Sequence, residues 1–218
     1  SNECMKDSIE SGRIQKTKYD NNSFILLATA ADLLSTGPKA DPKPQDNKSI
    51  YGKIISINQK NYDYSIYSKG HRNILGLSSI GNVILSTENG PRGGDEINRI
   101  YKGKNYGWPI ASDGNMYVSE FEGKQYGMSL EKDYAEHSDM NFEPPIFSFL
   151  PSIGISEIIK IDNNFDVNWQ DNYLVGSLFG NHIYRVRFNK SFNKIDYFEK
   201  IFIGERIRDL KYIPNHSV

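Results

Sequence analysis

Short runs of β-branched and aromatic residues, each closed off by a reverse-turn composition, most restrict what this chain can fold into. They occupy residues 24–28, 52–57, 63–67, 83–87, 96–101, 157–161, 173–177, 183–188 and 197–203. Between them stand Asn58-Gln59-Lys60-Asn61, Gly81-Asn82, Asp162-Asn163-Asn164, Gly180-Asn181-His182 and Asn189-Lys190-Ser191, all compositions that favour turns over continued strands. No segment carries a sustained 3.6-residue apolar period with caps at both ends. The fold class this implies is all-β.

Two stretches interrupt the rhythm. Residues 35–48 hold three prolines among alternating charges and read as an exposed loop. Residues 111–143 are polar with scattered aromatics, longer than an ordinary connection and of a length that usually carries function. Residues 1–10 show no pattern and are expected to form an irregular N-terminal segment ahead of one domain over 11–218. There is also an internal echo. Gly81-Asn82-Val83-Ile84-Leu85-Ser86-Thr87 and Asp171-Asn172-Tyr173-Leu174-Val175-Gly176-Ser177 each run from a turn through a strand to small residues, and each follows a strand-like segment, residues 75–79 and 156–161. Their spacing matches two units of the roughly 40–50-residue period of propeller blades, with a Greek-key sandwich as the competing architecture.

Charge and cysteine content narrow the function classes. The 26 basic and 27 acidic residues nearly cancel, so no field draws the chain to nucleic acid or an anionic membrane. No apolar run approaches the roughly 20 residues that span a bilayer. The single cysteine, Cys4, precludes an internal disulfide and any cysteine-based zinc cluster.

The densest chemistry lies in Gly90-Pro91-Arg92-Gly93-Gly94-Asp95-Glu96-Ile97, followed by Asn105-Tyr106-Gly107-Trp108-Pro109. Glycines let the backbone turn sharply and present its carbonyls, and two carboxylates close the turn. Carbonyl and carboxylate oxygens together are the donor set that holds calcium. The competing reading is that Asp95 and Glu96 only cap the turn.

These segments, with Gly70-His71-Arg72-Asn73, Leu150-Pro151-Ser152, Tyr173-Leu174-Val175-Gly176-Ser177-Leu178 and Arg206-Ile207-Arg208-Asp209, stand in an order that resembles the soluble aldose sugar dehydrogenases dependent on pyrroloquinoline quinone (PQQ), the glucose/sorbosone dehydrogenase type. The resemblance runs from about Ser11 to the end. It implies a six-bladed β-propeller with about four blades in this chain, completed by a further segment or a partner chain. It also implies a small-molecule sugar or other ligand, and a periplasmic or secreted location.

By the same resemblance, Arg72, Asn73, Tyr117, Arg206 and Arg208 fall at quinone-binding positions, where guanidinium forks suit a tricarboxylate. Gly90, Pro91, Glu96 and Tyr106 fall at calcium positions. The family's catalytic histidine position is Ile9, its glutamine after Arg-Asn is Leu75, its quinone-contacting lysine is Phe179 and its histidine before Gly-Pro is Asn89. An apolar side chain accepts no proton. The resemblance therefore leaves two functions open: oxidation of an aldose to its lactone with Ca2+ and PQQ, or a non-catalytic calcium-binding propeller that takes a protein, glycan or small ligand. Of the histidines, His71 is expected to orient its loop, while His137, His182 and His216 are expected to be solvated.

Overall fold

The computed structural model describes residues 11–19, 21–31, 43–115 and 134–213. They form twelve strands in three four-stranded antiparallel sheets, each built in chain order. The first holds β1 (Ile14–Tyr19), β2 (Asn22–Ala28), β3 (Lys53–Asn58) and β4 (Tyr64–Lys69). The second holds β5 (Ile74–Ile80), β6 (Val83–Glu88), β7 (Asp95–Arg99) and β8 (Phe147–Phe149). The third holds β9 (Ile155–Lys160), β10 (Tyr173–Ser177), β11 (His182–Phe188) and β12 (Ile195–Phe202). The first strands of the three sheets approach one another, β1 against β5 and β5 against β9. These are propeller blades with their first strands innermost.

The blade count is three among the described residues, where about four were expected, and the repeat explains the difference. Gly81–Thr87 and Asp171–Ser177 sit on the second strands of adjacent blades, so their spacing is one blade rather than two. The second blade is lengthened by residues 100–146, which join β7 to β8. The repeated turn has a physical basis. Asn21, Gly81 and Asp171, each ahead of a second strand, have φ of 58°, 57° and 58°, the left-handed region that Gly, Asn and Asp tolerate best.

The core lies between blades. Leu26, Ile54, Tyr67, Ile74, Leu77 and Ile84 pack between the first and second sheets. Leu85, Ile97, Ile158, Tyr173, Val175 and Val186 pack between the second and third. Each large aliphatic side chain withdrawn from water contributes roughly 1.5–3 kcal/mol, so the seams hold neighbouring blades together. No helix among the described residues is long and apolar enough to cross a membrane.

Candidate functional site

Register places the loops of interest at one end of the blades. The first residue of β5 pairs with the last of β6, Ile74 with Glu88, and Ile155 of β9 pairs with Ser177 of β10. Ala28 at the end of β2 donates to the Arg13 carbonyl at 2.8 Å. Residues 70–73, 89–95, 150–155, 177–180 and 204–209 therefore gather at this end.

Asp95 and Glu96 are neighbours on β7 and so face opposite ways. Asp95 is fully buried. Its Oδ1 accepts from Asn89 Nδ2 (2.9 Å), Gly90 N (3.0 Å) and Ser152 Oγ (3.1 Å), and its Oδ2 from Ile153 N and Ile155 N (both 2.9 Å). This carboxylate staples the Gly90 loop of the second blade to the start of the third. The loop leaves no room for side chains: a Cβ on Gly90 would lie 2.1 Å from the Gly94 carbonyl oxygen, and one on Gly94 2.4 Å from Gly114 N.

Glu96 makes no such staple. It pairs with Glu88 of β6 on one side and Ser148 of β8 on the other, and accepts from Asn98 Nδ2 at 3.0 Å. Burial holds its pKa well above the usual carboxylate range, and the neighbouring Glu88, Asp113 and Asp95 add to the rise while Asn98 opposes it. The Oδ1 of Asn98 is buried without a hydrogen-bond partner. Glu88, Glu96, Gly90, Pro91 and Tyr106 line a cavity of about 10 Å³, room for one water-sized occupant. Among the described residues, no backbone amide donates to the carbonyls of Pro91 or Tyr106. Nor do three or more His, Cys, Asp or Glu side chains form a metal cluster there. A cation at this place would rest on one carboxylate and backbone oxygens.

Glu88 is committed elsewhere. Its Oε2 lies 3.1 Å from His71 Nδ1 and its Oε1 accepts from the Arg72 amide. His71 Nε2 meets Ser68 Oγ at 2.8 Å and the ring stacks on Tyr106 with centroids 4.7 Å apart. Fully buried and bonded at both nitrogens, His71 orients its loop as expected. The Tyr106 hydroxyl donates to the Arg99 carbonyl at 2.6 Å, and burial raises its pKa.

Arg72 is buried too. Its Nη1 donates to the carbonyls of Asn89 (2.8 Å) and Gly90 (2.7 Å) and to Asn89 Oδ1 (3.3 Å), with the guanidinium 5.2 Å over the Trp108 ring. One expected quinone ligand thus holds the carbonyl of an expected ion ligand. Asn73 is buried, its carbonyl accepting from Asn89 N at 2.9 Å and its Oδ1 without a hydrogen-bond partner. Arg206 and Arg208 are exposed at the same end of the blades, Arg206 lying 5.8 Å over the ring of Phe179, itself 73% exposed. Leu75 is half-buried on β5. Tyr117, Ile9 and His216 lie outside the described residues.

His137 corrects the sequence expectation. It is buried, with Nδ1 3.4 Å from Asp113 Oδ1. The hydrogen bond from His137 lowers the Asp113 pKa against the opposing effect of burial. The return of residues 134–146 beside residues 111–115 creates this pair, and no local pattern announces it. Sequence reasoning also missed Gln45, whose amide pairs with that of Asn105 (3.2 and 2.7 Å) and donates to the Trp108 carbonyl at 2.6 Å. It lies at the end of a proline-rich stretch that reads as loop.

A profile of glucose/sorbosone dehydrogenases matches residues 11–218. The chain is 28% identical over 214 residues to aldose sugar dehydrogenase YliI of Escherichia coli (strain K12), covering 90% of this chain and 53% of that protein. It is 26% identical over 219 residues to quinoprotein glucose dehydrogenase B of Acinetobacter calcoaceticus, covering 80% and 44%. The chain thus spans about half the length of these curated relatives. In structure it resembles the apo form of the soluble aldose sugar dehydrogenase from Escherichia coli, with a TM-score of 0.75 at 24% identity over 96% of this chain and 60% of that one.

Proposed function

The chain belongs to the glucose/sorbosone dehydrogenase family, and we propose that it is the loop-bearing part of a protein that oxidises an aldose to its lactone. In this reading residues 11–218 form one propeller domain. A further segment or a partner chain completes the ring, and the protein works in the periplasm or outside the cell. The observation that carries the proposal is the Glu96 cavity. Glu96, Gly90, Pro91 and Tyr106 line a space of one small occupant, and the Asn98 amide that donates to Glu96 keeps a buried Oδ1 without a hydrogen-bond partner. Hard, mostly neutral oxygen donors fit Ca2+, and Glu96 would be its single carboxylate.

The fit to PQQ rests on charge and on an orphaned acceptor. Arg206 and Arg208 stand exposed at the loop end, and Asn73 offers a buried Oδ1 without a hydrogen bond. The two arginines would bind carboxylates. Arg72 would act through the loop, since its Nη1 already holds the Asn89 and Gly90 carbonyls. When bound, PQQ with Ca2+ supplies the hydride acceptor for the sugar. The remaining work falls to this chain. Asp95 keeps the Gly90 loop rigid against the third blade, and Trp108 and Tyr106 shield Arg72 and Glu96 from water. The proton of the sugar hydroxyl needs an acceptor, and Ile9 supplies none.

One observation favours the second reading, a calcium-binding propeller without turnover. At the position where the family carries a lysine, Phe179 is exposed beneath Arg206, an apolar surface in place of a hydrogen-bond donor. The deciding experiment loads the intact protein with Ca2+ and PQQ, desalts it and records quinone absorbance, then assays glucose with an artificial electron acceptor. Retained quinone with turnover supports the dehydrogenase. A Ca2+-dependent rise in Tm with neither retention nor turnover supports the binding protein. No response to Ca2+ or quinone eliminates both.

A further inference from the structure

Three segments distant in sequence meet at one guanidinium. Arg13, the residue before β1, places Nη1 2.8 Å from Glu157 Oε2 and 3.0 Å from Asp209 Oδ1, and Nη2 3.5 Å from the Arg208 carbonyl. Glu157 belongs to β9 and its side chain is 11% exposed. The second blade makes room for it, since a Cβ on Gly76 of β5 would lie 2.9 Å from Glu157 Oε1 and 2.6 Å from Ile158 N. Arg13 and Glu157 also line a cavity of about 380 Å³ among the innermost strands β1, β5 and β9. The tie thus sits at the propeller axis.

Residues 203–213 form no strand, so the direction of their side chains depends on a few anchors. Ile207 is pinned on both sides, donating to the Ser177 carbonyl at 3.0 Å and accepting from Ser156 Oγ at 2.6 Å. Its side chain rests over Gly176, where a Cβ would lie 3.0 Å from Ile207 Cγ2. Arg206 and Arg208 flank this half-buried residue and are both exposed. Anchored at Ile207 alone, the segment could swing. Arg13 adds the second anchor, one residue to the C-terminal side, through the Arg208 carbonyl and the Asp209 carboxylate.

We propose that Arg13 is a positioning residue, whose guanidinium fixes residues 206–209 against the axial ends of the first and third blades and so sets how Arg206 and Arg208 meet a carboxylate-bearing ligand. This rests on the reading of those arginines as quinone ligands. Nη1 takes both carboxylates and Nη2 the carbonyl, a division that the planar guanidinium fork pre-organises and a lysine ammonium on a flexible stem does not. The ionisation of Glu157 supports the geometry. Burial pushes its pKa up to about 7, Arg13 is the chief influence holding it down, and Asp209 adds to the rise.

The test uses the intact protein and two readouts, amide hydrogen exchange and PQQ titration by absorbance. In Arg13→Met, exchange at residues 207–210 is expected to quicken about tenfold or more, the scale of losing a hydrogen bond to a charged group, while β10 and β11 keep wild-type rates. PQQ affinity should fall by a similar factor, Arg13→Lys should recover only part of it, and Arg208→Met should cost far less in the Arg13→Met background than alone. Unchanged exchange at 207–210 overturns the proposal, as do additive losses of affinity. If Arg13→Met does not fold, Asp209→Asn replaces it, because Asp209 is largely exposed and its removal leaves the Arg13–Glu157 pair in place. Wild-type protein that retains no quinone refutes the quinone reading, and the exchange data then decide the role of Arg13 without it.

Discussion

Replacing Asp95 by asparagine changes one atom of a buried side chain and tests whether the loop end is held by this carboxylate. Asp95 accepts five hydrogen bonds and is fully buried. An asparagine has one acceptor oxygen and one amide nitrogen. If the nitrogen takes the place of Oδ2, the amides of Ile153 and Ile155 face a donor. If it takes the place of Oδ1, Gly90 N and Asn89 Nδ2 do. Either orientation strands two donors, at about 1–3 kcal/mol each. The expected loss is therefore about 4 kcal/mol, a large share of the roughly 5–15 kcal/mol that keeps a domain folded. With a urea m-value of about 2 kcal/mol per molar, the midpoint should drop by about 2 M. Amide exchange at Gly90, Ile153 and Ile155 should quicken before that of β6 and β10. A midpoint within about 0.5 M of wild type would refute the reasoning, because it would mean that the five contacts are replaceable by water.

Other consequences are equally direct. Glu96→Gln is expected to abolish the Ca2+-dependent rise in Tm while leaving the apoprotein as stable as wild type or more so, since it removes a carboxylate pressed against Glu88; a Ca2+ response that survives the change places the ion elsewhere. The Glu157 pKa stands above its ordinary value of 4.5 at about 7, so its stabilising contribution is full below pH 4.5 and fades as pH rises to 7. Glu157→Gln should flatten Tm across that window, whereas the lowered pKa of Asp209 acts only below its ordinary value of 3.8. Gln45→Ala removes the paired amides that hold Asn105 and the Trp108 carbonyl. It is expected to cost about 1–3 kcal/mol and to raise acrylamide quenching of tryptophan fluorescence; unchanged quenching would show that Trp108 is held by its neighbours alone.

How much of this was legible depends on how local each signal is. The apolar runs marked most of the strands because each half-buried strand writes its own alternation. β1 escaped notice because Lys16 and Lys18 dilute its pattern, and β8 because three residues are too few. The described residues hold three blades where about four are expected for a related reason: residues 100–146 make one blade as long as two. At the site, the Gly90–Glu96 motif is contiguous and stood out. The bond between Arg72 and the Gly90 carbonyl, the burial of His137 and the meeting of Arg13 with Glu157 and Asp209 are products of folding. Partners from 18 to 196 positions apart leave no periodicity to read.

The insertion between β7 and β8 has a consequence for how such a ring diversifies. It enters after three strands of the blade have paired and before the last, and its first residues turn into the seam with the first blade, where Ile100 and Tyr106 are buried and Tyr106 N donates to the Lys69 carbonyl at 2.9 Å. Lengthening a flexible connection costs only about 0.6 kcal/mol per doubling in closure entropy. Material added between these anchored ends leaves the pairing of β7 with β6 and β8 as it was. Because Asp113 and His137, one from each end of this detour, meet beside Ser148 of the returning strand, the addition is tied back to the blade it interrupts. A detour of this kind lengthens one blade and at the same time supplies part of the seam and of the cavity beside it.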